Sequence, residues 1–251
     1  MKDEFGVVVG YEDSPSAREA LRWGAAEAAV RRPAQRLVKA AAGWVRRHHS
    51  DVVVNTLTDR CTPGKLLVEL SMDAELIVVG CRGFSALGGL MAGSVSGHVA
   101  AHATCPVIVM RGPAEARGAR DVVMGFDSSR TCAAALGFAA GETVRPGGPL
   151  KVVIAYQNRG RGAGMQETRI QTEGLAWNEL TLLERRFPDL QASVELVDDS
   201  ARPALLEVAG KARLLVVGSR GLGEVRGLLL ESVSQALVHQ ASCPVAVVHA
   251  A

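Results

Sequence analysis

Leu76-Ile77-Val78-Val79-Gly80-Cys81-Arg82-Gly83 and Leu214-Leu215-Val216-Val217-Gly218-Ser219-Arg220-Gly221 are the same sentence written twice, 138 positions apart. In each, an unbroken apolar run rich in β-branched residues enters a glycine turn. That is the pattern of a central strand buried on both faces. The spacing of 138 holds again for Ser94-Val95-Ser96 against Ser232-Val233-Ser234, for Cys105-Pro106-Val107 against Cys243-Pro244-Val245, and for Asp51 against Asp189. Nearer the front of each copy the spacing is 115, with Val8-Val9-Gly10-Tyr11 answering Val123-Met124-Gly125-Phe126. The first copy therefore lacks 23 residues that the second has, opposite roughly positions 149–171. That stretch contains the apolar run Leu150-Lys151-Val152-Val153-Ile154-Ala155-Tyr156.

Gly112-Pro113-Ala114-Glu115-Ala116-Arg117-Gly118 is small and polar enough to link the copies, giving domains at 1–112 and 119–251. In the second copy the pattern predicts strands at 122–127, 150–156, 191–197, 214–218 and 245–249. Helices are predicted at about 130–144, 166–187, 203–211 and 232–240. Strands alternating with helices imply right-handed crossovers and a parallel sheet covered on both faces, so the fold class is α/β, two tandem doubly wound parallel-sheet domains. The first copy repeats this layout without the second strand. Its helices, at about 16–31 and 35–49, run almost directly together through Pro33, leaving four strands, a smaller core and the less stable half. The closing strands, Val107-Ile108-Val109-Met110 and Val245-Ala246-Val247-Val248, would lie bare at sheet edges, so the expectation is that one pairs against the other as an internal pseudo-twofold dimer.

Composition narrows the function. The chain has 251 residues, 48% apolar and 22% charged, which places it among globular proteins. Twenty-eight basic against 26 acidic residues leave a net charge of +2, too balanced for nucleic-acid backbone binding. The stretch from Phe84 to Met110 carries no formal charge but is broken by glycines, serines and Pro106, so no membrane span is expected. Five cysteines without a framework pattern, and no apolar run of signal length in residues 1–10, imply a reducing, cytoplasmic setting.

The glycine turns are where an open α/β sheet binds ligands, outside the carboxyl ends of its strands. In the first copy the spacing is Gly80-x2-Gly83-x9-Gly93-Ser94. Glycine lets the backbone approach a ligand, and Ser94 at a helix start caps free N–H groups that favour an anion such as phosphate. The second copy offers Gly218, Gly221 and Ser232 at matching places, with Arg220 in the turn. The same turns also serve strand-to-helix geometry alone. Lysines lie away from both turns, and neither a G-x4-G-K-(S/T) loop nor an activated nucleophile is present.

With the opening strand Val7-Val8-Val9-Gly10-Tyr11-Glu12-Asp13-Ser14-Pro15-Ser16, the glycine pattern and the Cys-Pro-Val strands on the page, the chain resembles the universal stress protein family in its tandem form, over nearly its whole length. The resemblance implies a HUP-type α/β fold, dimerisation, and a part in responses to starvation, hypoxia or oxidative stress. It also implies, for some members, ATP binding, with Mg accompanying the nucleotide and no other metal. In those members an acidic residue ending the first strand lies near the adenosine and the glycine loop holds the phosphates. Carried onto this chain, those positions are Gly10 and Glu12 in the first copy and Asp127 in the second, with Val153 on the strand that lines the adenosine. Both copies depart from the pattern: the first has Glu12 for Asp and lacks that strand, and the second has Glu231 where the third glycine belongs. A carboxylate there repels a triphosphate.

Other residues read as structural. Cys105 and Cys243 are expected as small buried apolar groups, and Cys61, Cys81 and Cys132 show no metal-ligand spacing, although Cys81 sits in the glycine turn where a redox role is open. His98 and His102 read as helix-surface residues, Arg46-Arg47-His48-His49 as a solvated helix end, and Trp23, Phe138, Trp44 and Trp177 as packing residues. Two function readings stay open: a non-enzymatic stress-response module binding an adenine nucleotide, and a degenerate scaffold acting through protein–protein contacts, either as a homodimer or not. An ATP-dependent ligase or nucleotidyltransferase ranks behind both.

Overall fold

The computed structural model describes residues 35, 38–81, 94–110, 120–144, 147–157, 163–219 and 233–250. The chain divides into two compact units, Met1–Cys61 and Thr62–Ala251. In the first unit, residues 38–48 form helix α1. Ala42 is buried on it, and successive helix positions turn by about 100°, so Trp44, two positions on, faces outward. Trp44 is 53% exposed, stacked on His48 with ring centroids 4.4 Å apart. The packing role expected of it is not observed.

The repeat places a strand of the first copy at 53–59, opposite 191–197 of the second, but those residues carry no regular structure, and Val53 is 87% exposed. The Arg46 guanidinium donates to the Val54 carbonyl at 2.7 Å. The second copy supplies the physical reason. Its matching strand pairs with one neighbour, the strand whose counterpart the first copy has lost. A strand without a ladder partner leaves its backbone groups to water.

The second unit contains α2 (Pro63–Leu70), β1 (Ile77–Gly80), α3 (Ser94–His102), β2 (Val107–Met110), β3 (Val122–Gly125) and α4 (Cys132–Val144). It continues with β4 (Leu150–Tyr156), α5 (Ala163–Glu184), β5 (Ala192–Asp198), α6 (Ala201–Ala209), β6 (Leu214–Gly218), α7 (Val233–Gln240) and β7 (Val245–Val248). The described strands form one seven-stranded sheet in the order β1-β2-β7-β6-β3-β4-β5. Every pairing is parallel except β2 with β7. The predicted strand positions of the second copy all hold to within a residue or two.

Side chains alternate across the sheet as a two-residue period requires. Val123, Val153, Leu215, Val217, Val245 and Val247 face one way, beneath Leu205 and Ala209 of α6, Leu237 of α7 and Val99 of α3. Val122, Met124, Val152, Leu214, Val216 and Ala246 face the other, beneath Leu136 and Ala139 of α4 and Leu180 of α5. Each such buried valine or leucine contributes about 1.5–3 kcal/mol. Phe138 packs against this second layer, as expected, whereas Trp177 on α5 is 44% exposed because Ala176 and Leu180 take the inward stripe. Trp23 lies outside the described residues.

β2 and β7 do not end the sheet, as bare closing strands would. They pair antiparallel, Val107 with Val247, Ile108 with Ala246 and Val109 with Val245. Among the described residues the outermost strands are β1 and β5.

The turn between α4 and β4 shows where glycine is required. Gly147 stands at φ +67°, and a Cβ on Gly148 would overlap the backbone carbonyl oxygen of Arg120. In α4, by contrast, a Cβ on Gly137 meets nothing within 4 Å. Urea unfolding should therefore show Gly148→Ala destabilising by about 1–3 kcal/mol and Gly137→Ala stabilising by about 0.5–1 kcal/mol. Equal effects at the two positions would contradict this packing.

Candidate functional site

A doubly wound sheet opens at the strands where chain order reverses. Here the chain steps from β3 outward through β4 to β5, then returns to the other flank of β3 with β6. Gly125 lies level with Val153 of β4, and Met124 with Val216 of β6. Past the last paired residue the Phe126 amide still donates to the Val153 carbonyl, at 2.9 Å, so the backbone holds its course until Asp127. Leu205 crowds this exit from below: a Cβ on Gly125 would come within 2.8 Å of its Cδ1. Glycine at 125 lets α6 pack under the strand end.

Beyond the sheet the chain turns sharply into α4. Ser128 adopts φ 59°, a left-handed conformation that costs a non-glycine residue something and is often kept at binding sites. The Ser129 amide donates to Asp127 Oδ1 at 3.0 Å, a turn in which the carboxylate stands in for a backbone carbonyl. The Cys132 thiol donates to the same oxygen at 2.9 Å, while the Asp127 amide donates back to Cys132 Sγ at 3.3 Å. The Ser129 and Thr131 hydroxyls lie 3.2 Å apart in the same turn. Burial, reinforced by the Asp127 carboxylate, raises the Cys132 thiol from its ordinary 9.0 to about 11. A thiol so held is a hydrogen-bond donor and a poor nucleophile.

On the other flank, β6 ends at Gly218, and the Ser219 amide donates to the Val248 carbonyl at 2.8 Å. The first copy repeats this exit: β1 ends at Gly80 and the Cys81 amide donates to the Met110 carbonyl at 3.1 Å. The two glycine turns thus leave the sheet through matching hydrogen bonds. The Ser234 hydroxyl reaches the Ser219 carbonyl at 3.4 Å, tying the start of α7 to the start of its turn.

Among the residues predicted for the site, the structure brings Asp127 and Gly218 to neighbouring strand ends, while Val153 lies in the middle of β4, level with Gly125. Asp127 and Gly218 are half-exposed, whereas the Val153 side chain is only 1% exposed and belongs to the core beneath. Gly80 occupies the matching end of β1, and Ser94 begins α3. Gly10, Glu12, Gly83, Gly93, Arg220, Gly221 and Ser232 lie outside the described residues. Two further groups stand on the same rim. Tyr156 ends β4 with the Arg169 guanidinium 5.3 Å from its ring centroid, and Cys132 grips Asp127. The sequence carries a signal for each: an aromatic at a strand's carboxyl end, and a polar residue five positions after an acidic turn.

All five cysteines are free, with Cys105 and Cys243 buried. Burial raises the Cys105 thiol as well. His98 and His102 are exposed and stacked on each other, ring centroids 4.4 Å apart. Among the described residues no group of three or more His, Cys, Asp or Glu is placed to hold a metal ion, and no helix is long and apolar enough to cross a membrane.

A chain with a strand-order reversal in its second copy and matching strand exits at Gly80 and Gly218 can be set against known proteins. The sequence profile of the universal stress protein family matches residues 31–111 and again 118–249. This chain belongs to the universal stress protein family. The universal stress proteins Rv1996 and Rv2623 of Mycobacterium tuberculosis H37Rv are each 30% identical to it. Those alignments cover 97% of this chain and 94% and 96% of the respective relatives. The crystal structure of a universal stress protein from Archaeoglobus fulgidus superposes with a TM-score of 0.64 at 19% identity, over 95% of this chain and 80% of that one. A universal stress protein from Pseudomonas aeruginosa gives 0.61 at 14% identity, over 96% and 90%. The architecture is the family's: α/β, in two tandem copies.

The raised thiol has a direct consequence for stability. Because Cys132 ionises at about 11 in the fold and near 9.0 when unfolded, its contribution is complete below pH 9 and is lost as pH climbs toward 11. Melting temperatures should fall more steeply across that window in the wild-type chain than in Cys132→Ala. Parallel slopes would mean that the thiol titrates normally.

Proposed function

We propose that this universal stress protein is a non-catalytic, stress-response binding module that takes an adenine nucleotide in its second copy, at the carboxyl ends of β3, β4 and β6. The carrying observation is Asp127, whose carboxylate is fixed by two donors beside the Gly218 exit at the strand-order reversal. A carboxylate held there accepts hydrogen bonds from the sugar or base of a nucleoside, so the second copy is suited to the adenosine part, while Glu231 at the following helix start opposes the phosphates. β4, present in this copy alone, supplies the wall beside Asp127. Mg would enter with the nucleotide rather than on a site of its own. The buried, protonated thiol and the lack of a Walker-type lysine loop in the sequence support binding without turnover.

Three wider readings go with this. Domains at 1–112 and 119–251 fit the two family segments. An internal pseudo-twofold dimer fits the seam, where Ile108 meets Ala246, its own counterpart 138 positions on, and the flanking pairs exchange places around it. A cytoplasmic setting fits five free cysteines.

The second reading, a scaffold that has lost its ligand, draws on the first copy. There the deletion removes the β4 counterpart and residues 52–57 form no strand. Calorimetry on the full chain separates the two. ATP binding that weakens about tenfold in Asp127→Asn, as loss of a charge-assisted hydrogen bond would give, and strengthens in Glu231→Gly supports the nucleotide module. No heat at millimolar ATP, with no adenine nucleotide released on denaturation, leaves the scaffold.

A further inference from the structure

We propose that Cys132 is the positioning residue of the second copy's site, its thiol holding the Asp127 carboxylate in the orientation that receives a ribose hydroxyl. This deepens, and rests on, the nucleotide reading of the same site.

The geometry is reciprocal. Cys132 opens α4, five residues after Asp127, and gives its S–H to Oδ1 at 2.9 Å while taking the Asp127 N–H on sulfur at 3.3 Å. The Ser129 amide supplies the second donor to Oδ1, and the Ser129 hydroxyl approaches Sγ at 3.6 Å. Two donors on one carboxylate oxygen, a backbone amide and a thiol, restrain the group more than either would alone. The thiol cannot swing away, because Cys132 is 3% exposed and packed in the layer with Phe126, Ala135 and Leu136. It also stays protonated through neutral pH, so it remains a donor to the carboxylate instead of becoming a second negative charge beside it.

The sequence adds an independent observation. At the spacing of 115 that aligns the front of the copies, Asp127 answers Glu12 and Cys132 answers Ala17. Alanine has no side-chain donor. The thiol–carboxylate pair therefore belongs to the second copy alone, the same copy that keeps the β4 wall. A device needed only to close a strand-to-helix turn would have no reason to follow the wall.

The test uses the full chain, ATP calorimetry at pH 7.5 and three variants. Cys132→Ala removes the donor, Cys132→Ser restores one on a shorter arm, and Leu136→Ala loosens α4 from a buried position one turn on, whose apolar side chain makes none of the pair's hydrogen bonds. The expected result is affinity reduced about tenfold in Cys132→Ala, within about threefold of wild type in Cys132→Ser, and unchanged in Leu136→Ala despite its lower unfolding midpoint. Wild-type affinity in Cys132→Ala, or an equal loss in Leu136→Ala, overturns the positioning role while leaving the nucleotide reading intact. A wild-type chain that takes up no adenine nucleotide removes that reading and the positioning role with it. The pair itself has its own readout that needs no access to the thiol: the alkaline midpoint of Cys132 thiolate absorbance in the ultraviolet, taken as the difference between chains with and without Cys132. It should move down in Asp127→Asn, because the carboxylate's charge and hydrogen bond both hold the thiol up. An unmoved midpoint also overturns the proposal.

Discussion

The antiparallel seam between β2 and β7 is the constraint on which the second unit is built. Each strand closes one copy of the repeat, is apolar on both faces, and would expose a full ladder of backbone groups if left at an edge. Pairing them satisfies both ladders and places β6, β3, β4 and β5 on one side of the seam and β1 on the other. The register follows from the repeat: centring the pair on Ile108 and Ala246 keeps Val107, Val109, Val245 and Val247 in one layer and Ile108 and Ala246 in the other. A slip of one residue would turn four valines out of their layer. The helices then fall where each layer needs a cover.

That arrangement also settles where the second copy opens. With β6 pinned to β7 and β3 pinned to β6, the carboxyl ends of β3 and β6 are adjacent at a fixed register. Asp127 stands just past the end of β3 in a turn tight enough to hold Ser128 at positive φ. The thiol of Cys132 connects this polar turn to the buried face of α4, so the orientation of one carboxylate is coupled to core packing. Polar groups needed in one orientation are commonly held this way, by neighbours that are themselves immobile.

The deletion in the first copy has a structural cost beyond the missing strand. β5 pairs with β4 along its whole length, seven residues against seven. Removing the counterpart of β4 leaves Val52-Val53-Val54-Asn55-Thr56-Leu57, a good strand by composition, without a ladder, and the segment runs irregularly with Val53 in solvent. The repeat placed a strand here, but β-propensity reports fit to a neighbour that must exist, and here that neighbour is gone. Trp44 and Trp177 fail as core residues for a related reason: size and apolarity favour burial, but the helix stripe that faces the sheet is chosen by smaller residues such as Ala42, Ala176 and Leu180.

The sequence by itself determined the duplication, the 23-residue gap, the order of strands and helices in the second copy and the family, because these are written in spacing and periodicity along the chain. It also marked Asp127 and Gly218 as strand-end residues. Only the tertiary structure decided that residues 52–57 stand unpaired, in which direction and register the expected pairing of β2 with β7 runs, and that Cys132 and Asp127 exchange hydrogen bonds. Each of these depends on what lies beside a residue rather than before or after it, and a hydrogen bond of 2.9 Å between a thiol and a carboxylate five positions apart exists only once strand end, turn and helix have fixed their directions together.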